Sequence, residues 1–191
     1  MTGVPLHLEM ALPDWVAQHL AQTAQPVDDA GRMALTIELA RQNVLHRTGG
    51  PFGAAVFSEV DGQLVAVGVN CVEQSRNSVL HAEVMALMLA ERRLDHFSLK
   101  GGPAGAYALF TSCEPCAMCL GAILWSGIQR VVCAATKQDA ATLGFDEGPV
   151  SAESYQYLEH RGTRIKRGLM ADAARQVMID YLNRGGLIYN G

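Results

Sequence analysis

Apolar residues change their period along this chain, and each change marks a predicted element. Met33, Ile37, Ala40 and Val44 recur at helical spacing. They predict a helix from Asp28 or Asp29, as N-cap, to about His46, with one buried stripe. Gly49, Gly50 and Pro51 break that pattern. The runs Ala54–Ser58 and Gln63–Val69 flank Asp61-Gly62, which reads as a hairpin closed by a type I′ turn. Helical spacing returns over His81–Arg93. Tyr107–Phe110 is then an apolar run long enough for a buried strand and too short for a helix. A helix from about Pro115 to Gly127, a buried strand at Val131–Ala135 and a short helix at Gln138–Leu143 follow. A more polar strand near Arg164–Leu169 leads to a last helix, about Asp172–Asn183, with Ala174, Val177 and Tyr181 inward.

The order is helix, hairpin, then strands alternating with helices. It predicts an α/β fold: a three-layer α/β/α sandwich around a five-stranded mixed sheet, parallel except for the first hairpin. A single domain is expected over residues 28–191. Residues 1–27, with Pro5, Pro13 and Pro26, are expected to be an N-terminal extension holding a short helix around Trp15 to Ala21.

Composition narrows the function classes. The chain has 191 residues, of which 49% are hydrophobic and 18% charged, as in one compact soluble domain. No Lys or Arg occurs before Arg32, and no apolar stretch approaches the ~18 residues of a membrane span. Cytoplasmic residence is the expectation. Fifteen Lys and Arg face nineteen Asp and Glu, a formal charge of −4. That balance argues against a nucleic-acid partner. The short basic cluster Arg161, Arg164, Lys166 and Arg167 reads as a solvated strand surface.

The cysteines carry the first chemical signal. Five are present, Cys71, Cys113, Cys116, Cys119 and Cys133, an odd number that argues for thiols or metal ligands over a disulfide framework. Pro115-Cys116-Ala117-Met118-Cys119 places two thiols at i and i+3 at a helix start, where both can reach one ion. The positive end of the helix favours their thiolates. Cys113 is also three residues from Cys116. However, Glu114 precedes a proline and is pushed into extended geometry, so Cys113 should lie before the helix as a buried thiol. A third ligand is expected from His81-Ala82-Glu83, at another predicted helix start. His81, Cys116 and Cys119 would hold Zn2+ with one position open for water, the catalytic arrangement.

The combination H-x-E…P-C-x-x-C resembles the signature of zinc-dependent nucleobase deaminases, in which the glutamate is not a ligand but the proton carrier. Glu83 holds that position. From Gly49 onward the resemblance is wider. Gly49-Gly50-Pro51-Phe52-Gly53, His81-Ala82-Glu83-Val84, Thr111-Ser112-Cys113-Glu114-Pro115-Cys116, Cys119-Leu120-Gly121-Ala122-Ile123 and Gly144-Phe145-Asp146-Glu147 are similar to segments of the guanine deaminases of the cytidine deaminase superfamily. The first three also occur in looser form in tRNA adenosine deaminases; the fourth and especially the last favour guanine deaminase.

The resemblance implies a cytidine deaminase-like fold, a purine or aminotriazine substrate, and a homodimer. It also implies Glu147 as a second proton carrier, and substrate contacts from Asn70, Phe52, Ala82, Trp125 and the C-terminal Tyr189. The tail Leu187-Ile188-Tyr189-Asn190 resembles one that closes over its own site or the partner's. Bland readings stand beside these: Glu147 as a loop carboxylate solvating a turn, Trp125 or Phe52 as core, Tyr189 as a strand stub. Other amino-heterocycles remain open as substrates, among them ammeline, cytosine, cytidine and tRNA adenosine. So does a structural zinc module with Cys113 as fourth ligand.

Overall fold

The computed structural model describes residues 3, 4, 6–103 and 105–190. Pro5 and the outermost ends of the predicted extension and domain lie outside the described residues. Near the N-terminus, α1 (Trp15–Gln22) buries Val16 against the core. α2 (Asp29–Leu45) starts where its acidic cap predicts, with Asp28 Oδ1 accepting from Gly31 N–H at 2.8 Å. Strands β1 (Gly53–Ser58) and β2 (Leu64–Val69) form the hairpin. A short α3 (Val72–Ser75) leads to α4 (Ala82–Leu94). The chain continues through β3 (Tyr107–Cys113), α5 (Ala117–Ser126), β4 (Arg130–Ala135), α6 (Lys137–Thr142) and α7 (Ala152–His160). β5 (Arg164–Lys166) and α8 (Ala171–Asn183) complete it.

The five strands lie in the order β2-β1-β3-β4-β5. β1 is antiparallel to both neighbours, while β3, β4 and β5 are mutually parallel. Strand alternation divides the core between two faces. Ala55, Phe57, Phe110 and Val132 meet α2 and α8 on one side. Ala54, Val56, Leu109 and Val131 meet α4, α5 and α7 on the other. The three-layer sandwich and mixed sheet are those expected from the element order.

Four local readings need correction. The hairpin turn is not type I′: of its residues Glu59–Gln63 only Gly62 has positive φ, at 74°, and type I′ needs two. The register instead shifts between Val56 and Phe57, absorbing a longer loop. α5 begins at Ala117, so Pro115 stands outside the helix and Cys116 is its N-cap. α7 and α3 had no counterpart among the predicted elements. β5 is also shorter, three residues ending at Lys166.

One reversed strand explains where the site forms. The start of β1 lies beside the ends of β2 and β3, with Gly53 opposite Val69 and Ala54 opposite Thr111. Phe52, Asn70 and Cys113 are thereby gathered at one edge. Gly68 lets α4 settle on β2 there, since a Cβ would stand 2.0 Å from the Ala82 carbonyl oxygen. Among the described residues, no helix is long and apolar enough to cross a membrane.

Candidate active site

Two helix starts converge beyond the ends of β2 and β3. His81 is the N-cap of α4 and Cys116 the N-cap of α5; Glu83 and Cys119 stand in the first turns. N-cap backbone is extended, here ψ 159° at His81 and 172° at Cys116, so each side chain projects over the open end of its helix. The ligand atoms of His81, Cys116 and Cys119 all lie within 4.8 Å of one another. His81 Nδ1 is 3.5 Å from Cys116 Sγ and 3.7 Å from Cys119 Sγ. Zn–S bonds of about 2.3 Å and Zn–N bonds of about 2.0 Å at a tetrahedral angle require roughly 3.5 Å between N and S. The donor set fits zinc.

Proton sharing within the cluster points the same way. Hydrogen bonding from Cys119, opposed by burial and reinforced by His81 and the Cys119 backbone N–H, brings the Cys116 thiol down to about 4. Cys119 goes the other way: donation to Cys116 and burial hold it well above the ordinary thiol value. Burial lowers the basicity of His81, but its bond to Cys116 and the charge of Glu83 outweigh that and raise it. One thiolate, one thiol and one imidazole are what a metal ion would convert into three ligands.

Glu83 is buried beside this cluster without belonging to it. Its Oε1 accepts from Thr111 Oγ1 at 2.9 Å, which orients the carboxyl, and its Oε2 accepts from Cys119 Sγ at 3.4 Å. Burial and the Cys116 thiolate raise its pKa. Across the cleft, Glu147 is pushed up to about 8 by burial, Cys116 and Glu83. Its loop is pinned by three groups. Ala117 N–H donates to the Glu147 carbonyl at 3.0 Å, Lys137 Nζ donates to the carbonyls of Gly148 and Val150 at 3.2 and 2.9 Å, and Asn190 spans Gly144 and Asp146.

The cleft also holds Asn70, Phe52 and Tyr189. Phe52 packs edge-on against Phe145 at 5.2 Å between ring centroids. Asn70 Nδ2 donates to Tyr189 Oη at 2.5 Å, so the tail covers this chain's own cleft. With Tyr189 in place the cavity is about 40 Å3, room for water alone. A larger groove of about 610 Å3 lies behind the tail, lined in part by Arg47, Glu73, Tyr181 and Arg184, but none of the metal-binding cluster reaches it.

Two expected contacts are not in the cleft. Trp125 is 83% exposed on the outer face of α5, because it falls two positions past the buried Ile123 and so points away from the sheet. Ala82 is fully buried under Gly68 and lends no side chain to the cavity. Sequence reasoning passed over Asn43 and Lys137, and named Thr111 and Asn190 only within longer segments, with no role of their own. Asn43 and Thr111 carried a usable signal, a polar residue inside an apolar stripe or strand. Lys137 and Asn190 carried none.

Cys113 is fully buried at the end of β3, with its Sγ 3.8 Å from the Thr136 carbonyl oxygen, outside the metal-binding group. Cys113→Ala is expected to retain bound zinc and to lower stability by only about 1–2 kcal/mol. Atomic absorption on the purified variant checks this, and loss of metal would restore the four-ligand structural reading.

The chain's relatives agree with this geometry. Residues 27–135 match the cytidine and deoxycytidylate deaminase zinc-binding region. The chain is similar to the guanine deaminase of Bacillus subtilis (strain 168), with 40% identity over 125 residues, 65% of this chain and 76% of that protein. It is also similar to the solved structure of guanine deaminase from Nitrosomonas europaea, with 39% identity and a TM-score of 0.86, covering 94% of this chain and 98% of that one. A variant of the protein NE0047, solved with 8-azaguanine, shares 38% identity at a TM-score of 0.88, covering 95% and 99%.

Proposed function

The chain belongs to the cytidine and deoxycytidylate deaminase family and is a zinc-dependent hydrolytic deaminase, and from that premise we propose that it converts guanine to xanthine and ammonia. One observation carries the reading: two carboxyl groups of raised pKa, Glu83 and Glu147, share a cleft with the His81–Cys116–Cys119 group and Asn70. The similarity to guanine deaminases, which covers 94% of this chain in the Nitrosomonas europaea structure, supports guanine among the amino-heterocycles.

When bound by His81, Cys116 and Cys119, zinc supplies Lewis-acid activation of water. Glu83 takes a proton from the attacking water and passes it to the ring nitrogen next to the amine-bearing carbon. The water oxygen bonds to that carbon, and as the C–N bond breaks and the C=O bond forms, its second proton is released, replacing the one given to the departing ammonia. Glu147, whose pKa is raised in the metal-free cleft by burial, Cys116 and Glu83, is placed to protonate the departing amine. Two proton carriers suit a reaction that must feed both a ring nitrogen and a poor leaving group. Asn70 offers an amide donor to the flat base, Phe52 packs beside it, and Tyr189 closes behind it.

Three of the four members of the basic cluster that could have marked an RNA partner are ion-paired within the chain. Arg164 pairs with Glu59, Lys166 with Asp29 and Arg167 with Glu114. The reading also includes a homodimer. α5 is apolar nearly all round, yet it exposes Trp125 and leaves open space at Gly121, an outer face that a second copy would cover. Residues 28–191 are then the deaminase domain, with α1 of the N-terminal extension docked upon it through Val16. Cytoplasmic residence is supported by the five cysteines, none of which is paired in a disulfide.

An ammonia-release panel of guanine, guanosine, adenine, cytosine, cytidine and ammeline tests the substrate. Guanine is expected to be turned over fastest. A faster rate with any other member would replace the substrate while keeping the chemistry; silence on all six would sink the catalytic reading.

A further inference from the structure

A chain of hydrogen bonds runs from the N-terminal helix to the floor of the cleft. Trp15 stacks on His46, ring centroids 5.3 Å apart and planes within 4°. Its Nε1–H donates to Thr48 Oγ1 at 2.9 Å. Thr48 Oγ1 donates in turn to Asn43 Oδ1 at 2.7 Å. Asn43 is fully buried within α2, and its Nδ2 donates to the carbonyls of Gly50 and Asn70, each at 2.9 Å. Gly50 N–H then donates to Asn70 Oδ1 at 3.3 Å.

The direction of this chain is fixed at both ends. Indole N–H can only donate and peptide carbonyls can only accept, so the Asn43 amide has one allowed orientation, and the Thr48 hydroxyl accepts from Trp15 and turns its own proton to Asn43, closer to Oδ1 than to the carbonyl at 3.4 Å. Gly50 N–H, with Val72 N–H, claims the oxygen of Asn70 and leaves its Nδ2 facing the cleft, where Tyr189 Oη accepts it. A buried Asn inside a helix is costly unless every polar atom is used, and here every one is. The backbone contact it secures is close: a Cβ on Gly49 would lie 1.9 Å from the Asn70 carbonyl oxygen.

We infer that Trp15, Thr48 and Asn43 are positioning residues for substrate recognition, holding Asn70 with its N–H toward a hydrogen-bond acceptor on the heterocycle. The N-terminal extension thereby becomes part of the specificity apparatus. This inference rests on the proposed role of Asn70 as a substrate contact.

Thr48→Val keeps the shape and removes the hydroxyl. It should raise KM for guanine about fivefold, the worth of one hydrogen bond, with kcat within about twofold and zinc content unchanged. Calorimetric affinity for the product xanthine should fall by a similar factor, and Thr48→Ser should restore both. Trp15→Phe, which keeps the stack on His46, should move KM the same way by less, and it carries the test should Thr48→Val fail to fold. In an Asn70→Ala background Thr48→Val should add nothing. Unchanged KM and xanthine affinity, a loss confined to kcat, or full additivity with Asn70→Ala would each overturn the inference. If another base of the panel proves to be the substrate, the guanine reading fails, and the same measurements on that base and its product still decide the role of the chain.

Discussion

Glu83→Ala is expected to abolish ammonia release while leaving zinc in place. The two outcomes separate because the carboxyl is bonded to Thr111 and faces Cys119 but lies outside the set of atoms that converge on the metal. A positioned general acid–base contributes about 10²–10⁴ in rate, and Glu83 carries the proton in both directions, so the upper end applies. Stability should move the opposite way. Burial raises the folded-state pKa of Glu83 above its ordinary value of 4.5, so the metal-free fold favours the neutral acid and loses stability as pH rises through the interval above 4.5. Glu83→Gln, neutral at every pH, should therefore raise the Tm of zinc-free protein at pH 8 and change it little at pH 4. Near-normal turnover in Glu83→Ala, with full zinc, would remove Glu83 from the reaction.

Much of this site could be read in the sequence because its chemistry is local. His81 with Glu83, and Cys116 with Cys119, are short-range pairs at helix starts, and helix geometry brings each pair together before any tertiary contact forms. Proline geometry placed Cys113 before the helix, where it ends β3, although Pro115 was expected inside the helix and the cap lies one residue later. Long-range consequences were harder to see. Trp125 lies in an apolar stretch whose two faces look alike in composition, so only the packed helix shows which one meets the sheet. α7 buries just Tyr155 and Leu158, too few positions to establish a period, and its capping box uses Ser154 where an acid or amide is more usual. The Asn43 chain joins α1, α2 and the end of β2 through polar atoms, and hydrophobic periodicity carries no information about those.

Cys119→Ala is expected to lose both zinc and activity, and its pH behaviour tells why. In the metal-free cluster Cys116, with its pKa near 4, is already a thiolate at neutral pH, whereas Cys119 keeps its proton. Zinc must displace that proton to gain its third ligand. Wild-type affinity should consequently rise about tenfold per pH unit near neutrality, with further steepening below the raised pKa of His81 as its proton is displaced too. Without Cys119 only Cys116 and His81 remain, too few for a site that must also hold water, and Cys116 loses the hydrogen bond that chiefly lowers its pKa. The variant should emerge from dialysis without metal, and the proton release linked to Cys119 should vanish from a zinc titration in weakly buffered solution. Loss of the ion also removes the stabilisation it gives the folded state, about 4 kcal/mol when free zinc stands at a thousand times its Kd. Chelator should therefore lower the Tm of wild type and leave that of Cys119→Ala unmoved. Retention of stoichiometric zinc by Cys119→Ala would show that another residue completes the set, and Cys113, the nearest remaining thiol in sequence, would be the first to test.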